Sequence, residues 1–452
     1  MKRIILYIDQ FFFRQISASG FGLMRIAWAA TILLFMLGNA ENVVRFYSSV
    51  GIFPEGLNNG IFRNEYRFSI LSIVRDPLPV FLLWSFFLCS LTFMMLGIRT
   101  RIATIISVLL LFSFNEHLCH MVNAGDNLLR AMGFILMISP RIDAFSLDSL
   151  RRSFLLWRKG RLPIPIQMSI WPYRLLLWQL IIVYLASVWE KWHSVMWLNG
   201  AAVAIVYHMT EYFRWSKSVA DNLSGLSPYV SRSWMIFGLL WGLLLIPREF
   251  GNIFVPSVRK HSLKRWILLL GVGFHGGMLI LMDTGAFQLV IFSSYLGLLV
   301  DEDFQVLREF FSKRWTKAFA KISAPEASAS PKITVLYDGS CSLCRRSVFF
   351  LLSLDALQRL RIINFRDEKL RKRYAPDIKM QRLERALHIR FPDSKASSGF
   401  DAFKILARHL PALWWSVPLL HLPFAASIGR SIYSRIARNR HICSGKTCVH
   451  KL

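Results

Sequence analysis

The chain has 452 residues, of which 54% are hydrophobic and only 18% charged, and its mean hydropathy is +0.40. Soluble domains carry about a quarter charged residues, so this balance excludes a disordered chain, a collagen-like repeat and an ordinary soluble enzyme. The net charge of +28 is typical either of a nucleic-acid-binding protein or of basic loops on the cytoplasmic side of a membrane. The positions of the basic residues decide between these two interpretations.

The apolar residues are concentrated in eight segments that predict membrane-spanning helices. About 20 apolar residues are needed to cross the hydrocarbon core, and fewer where flanking residues adapt. The segment Ala201–Met209 is a ninth candidate, as a broken or re-entrant span, but we favour eight. The eight segments are Leu23–Leu37, Val80–Gly97, Ile102–Phe114, Leu128–Ile138, Leu175–Trp189, Trp234–Ile246, Trp266–Met282 and Phe287–Val300.

The short loops between these spans differ sharply in charge. Counted from a cytoplasmic N-terminus, the loops Ile98–Arg101, Ser139–Arg174 and Pro247–Arg265 are rich in Lys and Arg, whereas Asn115–Asp126 and Asp283–Ala286 contain none. Basic short loops face the cytoplasm, and long loops translocate with less regard to charge. The pattern predicts a multi-pass protein of the cell (inner) membrane with both termini in the cytoplasm, whose partner is the lipid bilayer and not nucleic acid.

The character of the sequence changes after the last predicted span. Residues 323–331, with the sequence SAPEASASP, are typical of a flexible linker. Residues 332–452 contain 23 basic and 8 acidic residues, a net charge of +15. We therefore predict a transmembrane domain over residues 1–322, a linker over 323–331 and a polar cytoplasmic domain over 332–452.

A thiol motif opens this last domain. The strand-like run Ile333–Tyr337 is followed by Asp338-Gly-Ser-Cys341-Ser-Leu-Cys344, and then by a helical segment that is apolar on one face. A strand, a tight turn, Cys-x-x-Cys and a helix form the thioredoxin-like redox arrangement. Cys341 at the helix N-terminus would be favoured as a thiolate, and Cys344 one turn later could resolve a mixed disulfide. Asp338 either accepts or relays a proton or caps the turn.

A second interpretation of the cysteines is a zinc site. Cys443 and Cys448 near the end of the chain could join Cys341 and Cys344 as four ligands. The two pairs lie about a hundred residues apart, which is longer than in compact zinc modules. We favour the redox dithiol, assign no metal ligands, and leave the role of Cys443 and Cys448 open.

The domain that begins at residue 332 resembles a known family. YDGSCSLC is similar to the Asp-x-x-Cys-x-x-Cys signature of the DCC thiol-disulfide oxidoreductase family, and the likeness continues through Gly399–Phe403 and the segment from Tyr433 to Arg440. The resemblance implies a thioredoxin-like α/β fold. It also implies dithiol activity on Cys341 and Cys344, with Asp338 in the same motif, toward disulfide or thiol substrates.

The first 300 residues resemble the HTTM domain, the membrane module shared with vitamin K-dependent gamma-carboxylase. The segment Tyr184–Gly200 is similar to the carboxylase segment that holds its catalytic lysine, which would place that role on Lys191. The other residues that carry the resemblance are Phe21–Ile26, Asn123–Asp126 with Arg130, Ser146–Asp148 and Phe274-His275.

The residues themselves leave the roles of Lys191 and His275 open. Lys191 ends a span among tryptophans, where a lysine is commonly an interface anchor, although a desolvated lysine can also serve as a base. His275 falls within a span, where ionisable groups face a cavity or a partner. The sequence Gly273-x-x-x-Gly277 around it also suits a satisfied histidine in a close helix contact.

Three functions follow from these observations. The first is a membrane-anchored thiol-disulfide oxidoreductase with about eight spans. Because Lys191 is predicted on the far side and Cys341 in the cytoplasm, exchange between them would require a lipid-soluble shuttle such as a quinone. The second is a membrane receptor or adaptor with a zinc-stabilised cysteine-rich end. The third is a carboxylase-like membrane enzyme centred on Lys191 and His275, which the chain disfavours because the carboxylase's large extramembrane region is missing.

Overall fold

The computed structural model describes residues 9–52, 68–158, 166–242, 260–307, 309, 333–355, 359–391, 396–422, 424–438, 441–444 and 447–450. The chain divides into two compact units. The N-terminal unit comprises Met1–Arg151 and Ile164–Asp303, and the C-terminal unit comprises Arg152–Pro163 and Phe304–Leu452. The predicted linker 323–331 lies outside the described residues, so the predicted domain boundaries stay predictions.

The described part of the N-terminal unit is built from helices, and those of at least eleven residues are labelled here. They are α1 (Ser19–Gly38), α2 (Pro77–Leu96), α3 (Thr100–His117), α4 (Ala124–Ile138), α5 (Leu147–Arg158, which crosses the unit boundary), α6 (Trp171–Trp192), α7 (Ser227–Gly242), α8 (Lys260–Leu281) and α9 (Phe287–Gly297). Shorter helices cover Val43–Tyr47, Val195–Leu198, Ala202–Tyr207 and Lys217–Ser224. Two short strands, β1 (Gln15–Ser17) and β2 (Gln167–Ser169), pair antiparallel.

Helix α1 packs against α2 and α9. Its buried side includes Trp28, whose indole Nε1 donates a hydrogen bond to the carbonyl oxygen of Leu129 at 3.0 Å. Two glycines allow close backbone approach, since a Cβ at Gly20 would lie 2.4 Å from the carbonyl oxygen of Leu299 and one at Gly22 would lie 2.5 Å from that of Ala144. The fit of α1 therefore depends on small residues as well as on apolar ones.

Four described helices are long and apolar enough to cross a membrane, so the predicted count of eight spans is not supported. They are α1, α2, α6 and the Leu263–Leu281 part of α8. The predicted segments Ile102–Phe114, Leu128–Ile138 and Phe287–Val300 overlap helices that do not meet this standard of length and apolar composition. Trp234–Ile246 overlaps α7, and its residues 243–246 lie outside the described residues. Helix α9 has eleven residues and extends only about 16 Å at 1.5 Å per residue, about half of the hydrocarbon core. The ninth candidate contains only the six-residue helix Ala202–Tyr207.

The C-terminal unit contains a small mixed sheet. Its strands are β3 (Ile333–Tyr337), β4 (Leu360–Asn364), β5 (His388–Arg390) and β6 (Ala396–Ser398), in the order β4-β3-β5-β6. Strand β3 runs parallel to β4 and antiparallel to β5, and β5 runs antiparallel to β6. The predicted strand Ile333–Tyr337 is confirmed with the same bounds.

Helices surround this sheet, and a hairpin follows them in the chain. Helix α10 (Ser342–Leu354) connects β3 to β4, and α11 (Gly399–His409) and α12 (Ala425–Arg438) come after β6. The hairpin pairs β7 (His441–Ser444) with β8 (Thr447–His450). The remaining short helical segments are Glu368–Tyr374, Met380–Arg385, Pro411–Ser416 and Val417–Leu420.

Apolar side chains cover both faces of the sheet. One cluster joins Val335 to Val348 and Leu351 of α10, and the other contains Leu336 and Phe365. A strand that is buried on both faces has a continuous apolar sequence rather than an alternating one, as β3 does. This packing fixes the end of β3, where the thiol motif begins.

Candidate functional site

The candidate site lies where the two parallel strands of the C-terminal unit end. In the register of β3 and β4, Tyr337 is opposite Asn364. Because parallel strands end at the same edge of a sheet, the residue after β3, Asp338, meets the residues after β4. The guanidinium of Arg366 contacts both carboxylate oxygens of Asp338, with Nε 3.0 Å from Oδ1 and Nη2 2.8 Å from Oδ2.

Asp338 is an ionised carboxylate held by several donors. It is buried, and it also accepts hydrogen bonds from the backbone N–H and the hydroxyl of Ser340 at 3.0 and 2.6 Å. Burial raises the pKa of Asp338, but the hydrogen bonds from Arg366 and Ser340 outweigh it and hold the pKa below its ordinary value. A carboxylate with a lowered pKa is a weak base near neutral pH, so these contacts favour an organising role.

Asn364 fixes the other side of the same turn. Its side-chain oxygen accepts the backbone N–H groups of Gly339 at 2.9 Å and of Arg366 at 3.1 Å. A Cβ at position 339 would lie 2.3 Å from the amide nitrogen of Asn364, so the close approach requires glycine there. The turn before the cysteines is thus tied to the end of β4.

The two cysteines of the motif occupy the start of α10. Cys341 is the N-cap residue of this helix, and its Sγ accepts the backbone N–H of Cys344 at 3.3 Å. A sulfur in this place receives a hydrogen bond from a free helical N–H group and lies at the positive end of the helix dipole, and both effects favour the thiolate. Both cysteines are free thiols.

Neither sulfur is on open surface. Cys341 is 0% exposed and Cys344 is 9% exposed. A disulfide substrate therefore reaches Cys341 only if the segment around it opens, since thiol–disulfide exchange requires direct attack of one sulfur on another.

Comparison with known proteins adds a family to this geometry. Residues 335–446 match the DCC1-like thiol-disulfide oxidoreductase family. The C-terminal unit thus carries a DCC1-like thiol-disulfide oxidoreductase domain, which occupies about a quarter of the chain and suggests a redox role. No curated protein and no solved structure matches the chain. The resemblance of the first 300 residues to the HTTM domain is not shown by these comparisons.

The second cysteine pair belongs to the hairpin that follows the core of the oxidoreductase domain. In its register Cys443 is directly opposite Cys448, and strand β7 lies beside α10, the helix that begins at the Cys-x-x-Cys motif. Two cysteine pairs that are far apart in the sequence are thus carried by neighbouring elements. Within the part of the chain that the structure describes, no group of three or more His, Cys, Asp and Glu side chains could hold a metal ion.

In the N-terminal unit, Lys191 is held against aromatic rings. Its Nζ donates to the hydroxyl of Ser187 at 2.6 Å and lies 3.9 Å from the ring centroid of Trp234 and 4.7 Å from that of Trp197. A cation over two indole rings is stabilised as a cation. These contacts are compatible with an interface anchor, and both roles of Lys191 stay predictions.

His275 belongs to a buried hydrogen-bonded network in the same unit. The hydroxyl of Tyr184 lies 2.7 Å from Nε2 and 2.5 Å from the hydroxyl of Tyr295, and Nδ1 lies 2.6 Å from Oε1 of Gln288. Both ring nitrogens thus have partners, as a buried histidine requires. The partners of His275 differ from those of Lys191, so the described contacts do not unite the two residues in one site.

The structure brings together Asp338, Cys341 and Cys344, which the motif places within seven residues. Sequence reasoning missed Arg366 and Asn364, which complete the turn from the end of β4. The sequence does contain a signal for them. Asn364 and Arg366 stand at the end of the strand-like segment that follows helix α10, and a strand, a helix and a second strand in this order usually make the two strands parallel. Parallel strands place such residues beside the turn of the preceding strand.

Proposed function

We propose that the chain is a membrane-anchored thiol-disulfide oxidoreductase in which Cys341 attacks and Cys344 resolves. The observation that carries this proposal is the hydrogen bond from the N–H of Cys344 to Sγ of Cys341 at the start of α10. The family match over residues 335–446 supports it. The strand order β4-β3-β5-β6 is compatible with a thioredoxin-like domain over residues 332–452, joined by the linker 323–331 to a membrane domain over 1–322.

The proposed reaction is a two-step thiol–disulfide exchange. The Cys341 thiolate attacks one sulfur of a substrate disulfide, forms a mixed disulfide and releases the other substrate sulfur as a thiolate that takes up a proton. The Cys344 thiolate then attacks Sγ of Cys341 and releases the second substrate thiol, leaving a Cys341–Cys344 disulfide. The substrate gains two electrons and two protons, and the reaction can run in either direction.

In this proposal Asp338 positions the motif. Its carboxylate holds Ser340 and Arg366, so the chain enters α10 with Cys341 at the N-cap. Burial raises the pKa of Asp338, but its hydrogen bonds lower the pKa by more. Because the carboxylate is then a weak base, proton transfer is a secondary role in this proposal.

The membrane anchor is supported by the four apolar helices. We propose that both termini lie in the cytoplasm. Four spans leave both ends on the same side as the basic loops Ile98–Arg101 and Ser139–Arg174, and basic loops favour the cytoplasm. A cytoplasmic dithiol is kept mostly reduced, so reduction of a substrate disulfide is the favoured direction. Electrons would pass between the cysteines and the far side of the membrane only through a lipid-soluble carrier such as a quinone.

The direct test is exchange with a model disulfide. The purified full chain should show a two-electron dithiol couple and reduce a glutathione-based mixed disulfide, and Cys341→Ser should abolish both. Cys344→Ser should accumulate the mixed disulfide on Cys341, which is detected as a mass increase. Cys89→Ser, in a helix of the N-terminal unit, is the matched control and should leave the exchange rate unchanged. Equal activity in Cys341→Ser and Cys89→Ser would overturn the proposal.

A zinc-stabilised adaptor is the second candidate, and the position of β7 beside α10 favours it more than the sequence spacing does. Four thiolates would bind zinc in a closed structural site without an open position for catalysis. Metal analysis of the full chain separates the two candidates. About one zinc per chain, released when the thiols are modified, would support the adaptor, and a metal-free dithiol would support the oxidoreductase.

A further inference from the structure

Helix α12 is fixed to the C-terminal unit along one face. A Cβ at Gly429 would lie 2.3 Å from the ring of Phe400 in α11, so the two helices approach closely there. The hydroxyl of Tyr433 accepts the backbone N–H of Leu387 at 2.9 Å, and Arg430 contacts the carboxylate of Asp401 at 3.2 Å. These contacts determine which face of α12 points outward.

The outward face is apolar. Ile428, Ile432 and Ile436 follow one another at intervals of four residues, which places them in one row along a helix, and their exposures are 57%, 55% and 51%. Phe424, just before the helix, is 77% exposed, and Leu422 is 56% exposed. A contiguous row of this kind on a water-facing domain marks an interaction surface.

The part of the sequence that contains this row is basic. From residue 402 to residue 452 the sequence contains eight Lys and Arg and no Asp or Glu. In α12 itself, Arg435 is exposed and lies on the side of the isoleucine row away from Tyr433. An apolar row bordered by basic residues is typical of a helix that lies in the interface of an anionic bilayer.

The connection to the N-terminal unit limits how far the C-terminal unit can be from a bilayer in which the apolar helices are embedded. Only 29 residues separate Asp303, at the end of the N-terminal unit, from Ile333 at the start of β3, and these extend at most about 100 Å. A tether of this length makes contact with the bilayer an intramolecular event at high effective concentration. We propose that α12, with Phe424 and Leu422, docks the C-terminal unit on an anionic lipid surface.

Lipid contact is tested in the full-length chain reconstituted in nanodiscs of phosphatidylcholine, alone or mixed with phosphatidylserine. A photoreactive benzoylphenylalanine replaces Ile432, and irradiation followed by mass spectrometry identifies what it contacts. The matched control replaces Ser434, which is also exposed but lies two residues away, on another side of the helix. We expect lipid adducts at position 432, more of them with phosphatidylserine, and few at position 434.

Two variants sharpen the test. Arg435→Gln should lower the adduct yield at position 432 about fivefold in anionic nanodiscs, the factor that one surface charge contributes near such lipids. Cys341→Ser should leave the yield unchanged, because the contact does not depend on thiol chemistry. Equal adduct yields at positions 432 and 434, yields independent of phosphatidylserine, or adducts only with protein, whether a second copy or the same chain, would overturn the proposal.

Discussion

At the scale of single residues, the contact between Asp338 and Arg366 decides how the thiol motif is held. Two hydrogen bonds join a side chain that is 6% exposed to one that is 33% exposed. Asp338→Asn removes the negative charge of the carboxylate and leaves the positive charge of Arg366 without this partner. We expect the C-terminal unit to lose about 1–3 kcal/mol of stability at neutral pH, measured by hydrogen exchange of the amides of β3 and β4 in the full chain.

The pH dependence of this effect has a definite sign. Although burial raises the pKa of Asp338, its hydrogen bonds lower it by more, so the stabilisation is present above the ordinary pKa and is lost as the pH falls through the folded-state value. The difference between the native chain and Asp338→Asn should therefore shrink below about pH 4. Glu368→Gln, which breaks an exposed ion pair with Lys372, is the control and should change the stability much less than Asp338→Asn does. An equal effect of the two substitutions would contradict the role of Asp338.

His409 provides a second pH-dependent contribution in the same unit. Burial, together with the charges of Arg359 and Arg408, lowers its pKa from 6.5 to about 4. The unfolded chain therefore binds a proton more readily, and stability should fall as the pH decreases from about 6.5 to about 4, by up to about 3 kcal/mol. His409→Gln should flatten this part of the profile, measured by thermal unfolding of the unit between pH 4 and pH 7. An unchanged slope would show that other groups cause it.

The residues of the motif could be predicted from the sequence because they are neighbours in the chain. Cys341 and Cys344 needed only the helix period and the strand before them, and Asp338 needed only the turn. Arg366 lies 28 positions after Asp338, and its pairing depends on which strand lies next to β3. The burial of Cys341 was also beyond the sequence, since a polar turn at a sheet edge is ordinarily exposed.

At the scale of elements, the packing of α1 depends on a backbone approach that a side chain would block. A Cβ at Gly20 would lie 2.4 Å from a backbone carbonyl oxygen, whereas one at Gly38 in the same helix would meet nothing within 4 Å. Gly20→Ala should therefore destabilise the N-terminal unit by about 1–3 kcal/mol. Gly38→Ala should be neutral or stabilising by up to about 1 kcal/mol. Thermal unfolding in detergent compares them, and equal melting temperatures would show that α1 can shift at no cost.

The apolar segments of the N-terminal sequence predict where helices occur better than they predict which helices are long enough to span a membrane. The predicted segment Leu128–Ile138 lies inside α4, but α4 has only 15 residues and begins with the capping box of Asn123 and Asp126. Polar caps of this kind end a helix well before it reaches the length of a bilayer. Hydropathy reports burial in apolar surroundings, and here it does not distinguish a short helix packed on its neighbours from one that crosses lipid.

At the scale of the whole molecule, four candidate spans in place of eight change the side of the membrane on which several loops are expected. With α1, α2, α6 and Leu263–Leu281 as the spans, the segment between α2 and α6 stays on the side of the N-terminus, and the segment between α6 and α8 lies on the far side. Lys191 remains at the far end of α6 under either count. In our proposal the C-terminal unit is also on the side of the N-terminus, since four and eight are both even.

This topology is tested by labelling intact cells with a membrane-impermeant thiol reagent. Cys341 is 0% exposed and is a poor reporter, so exposed positions are needed. Lys372, which is 73% exposed, suits the C-terminal unit, and Glu211, also exposed, suits the segment between α6 and α8. Glu211→Cys should react in intact cells, whereas Lys372→Cys should react only after permeabilisation, each compared with the parent chain. Reaction of Lys372→Cys in intact cells would place the dithiol outside the cytoplasm, where oxidation of substrates would be the favoured direction.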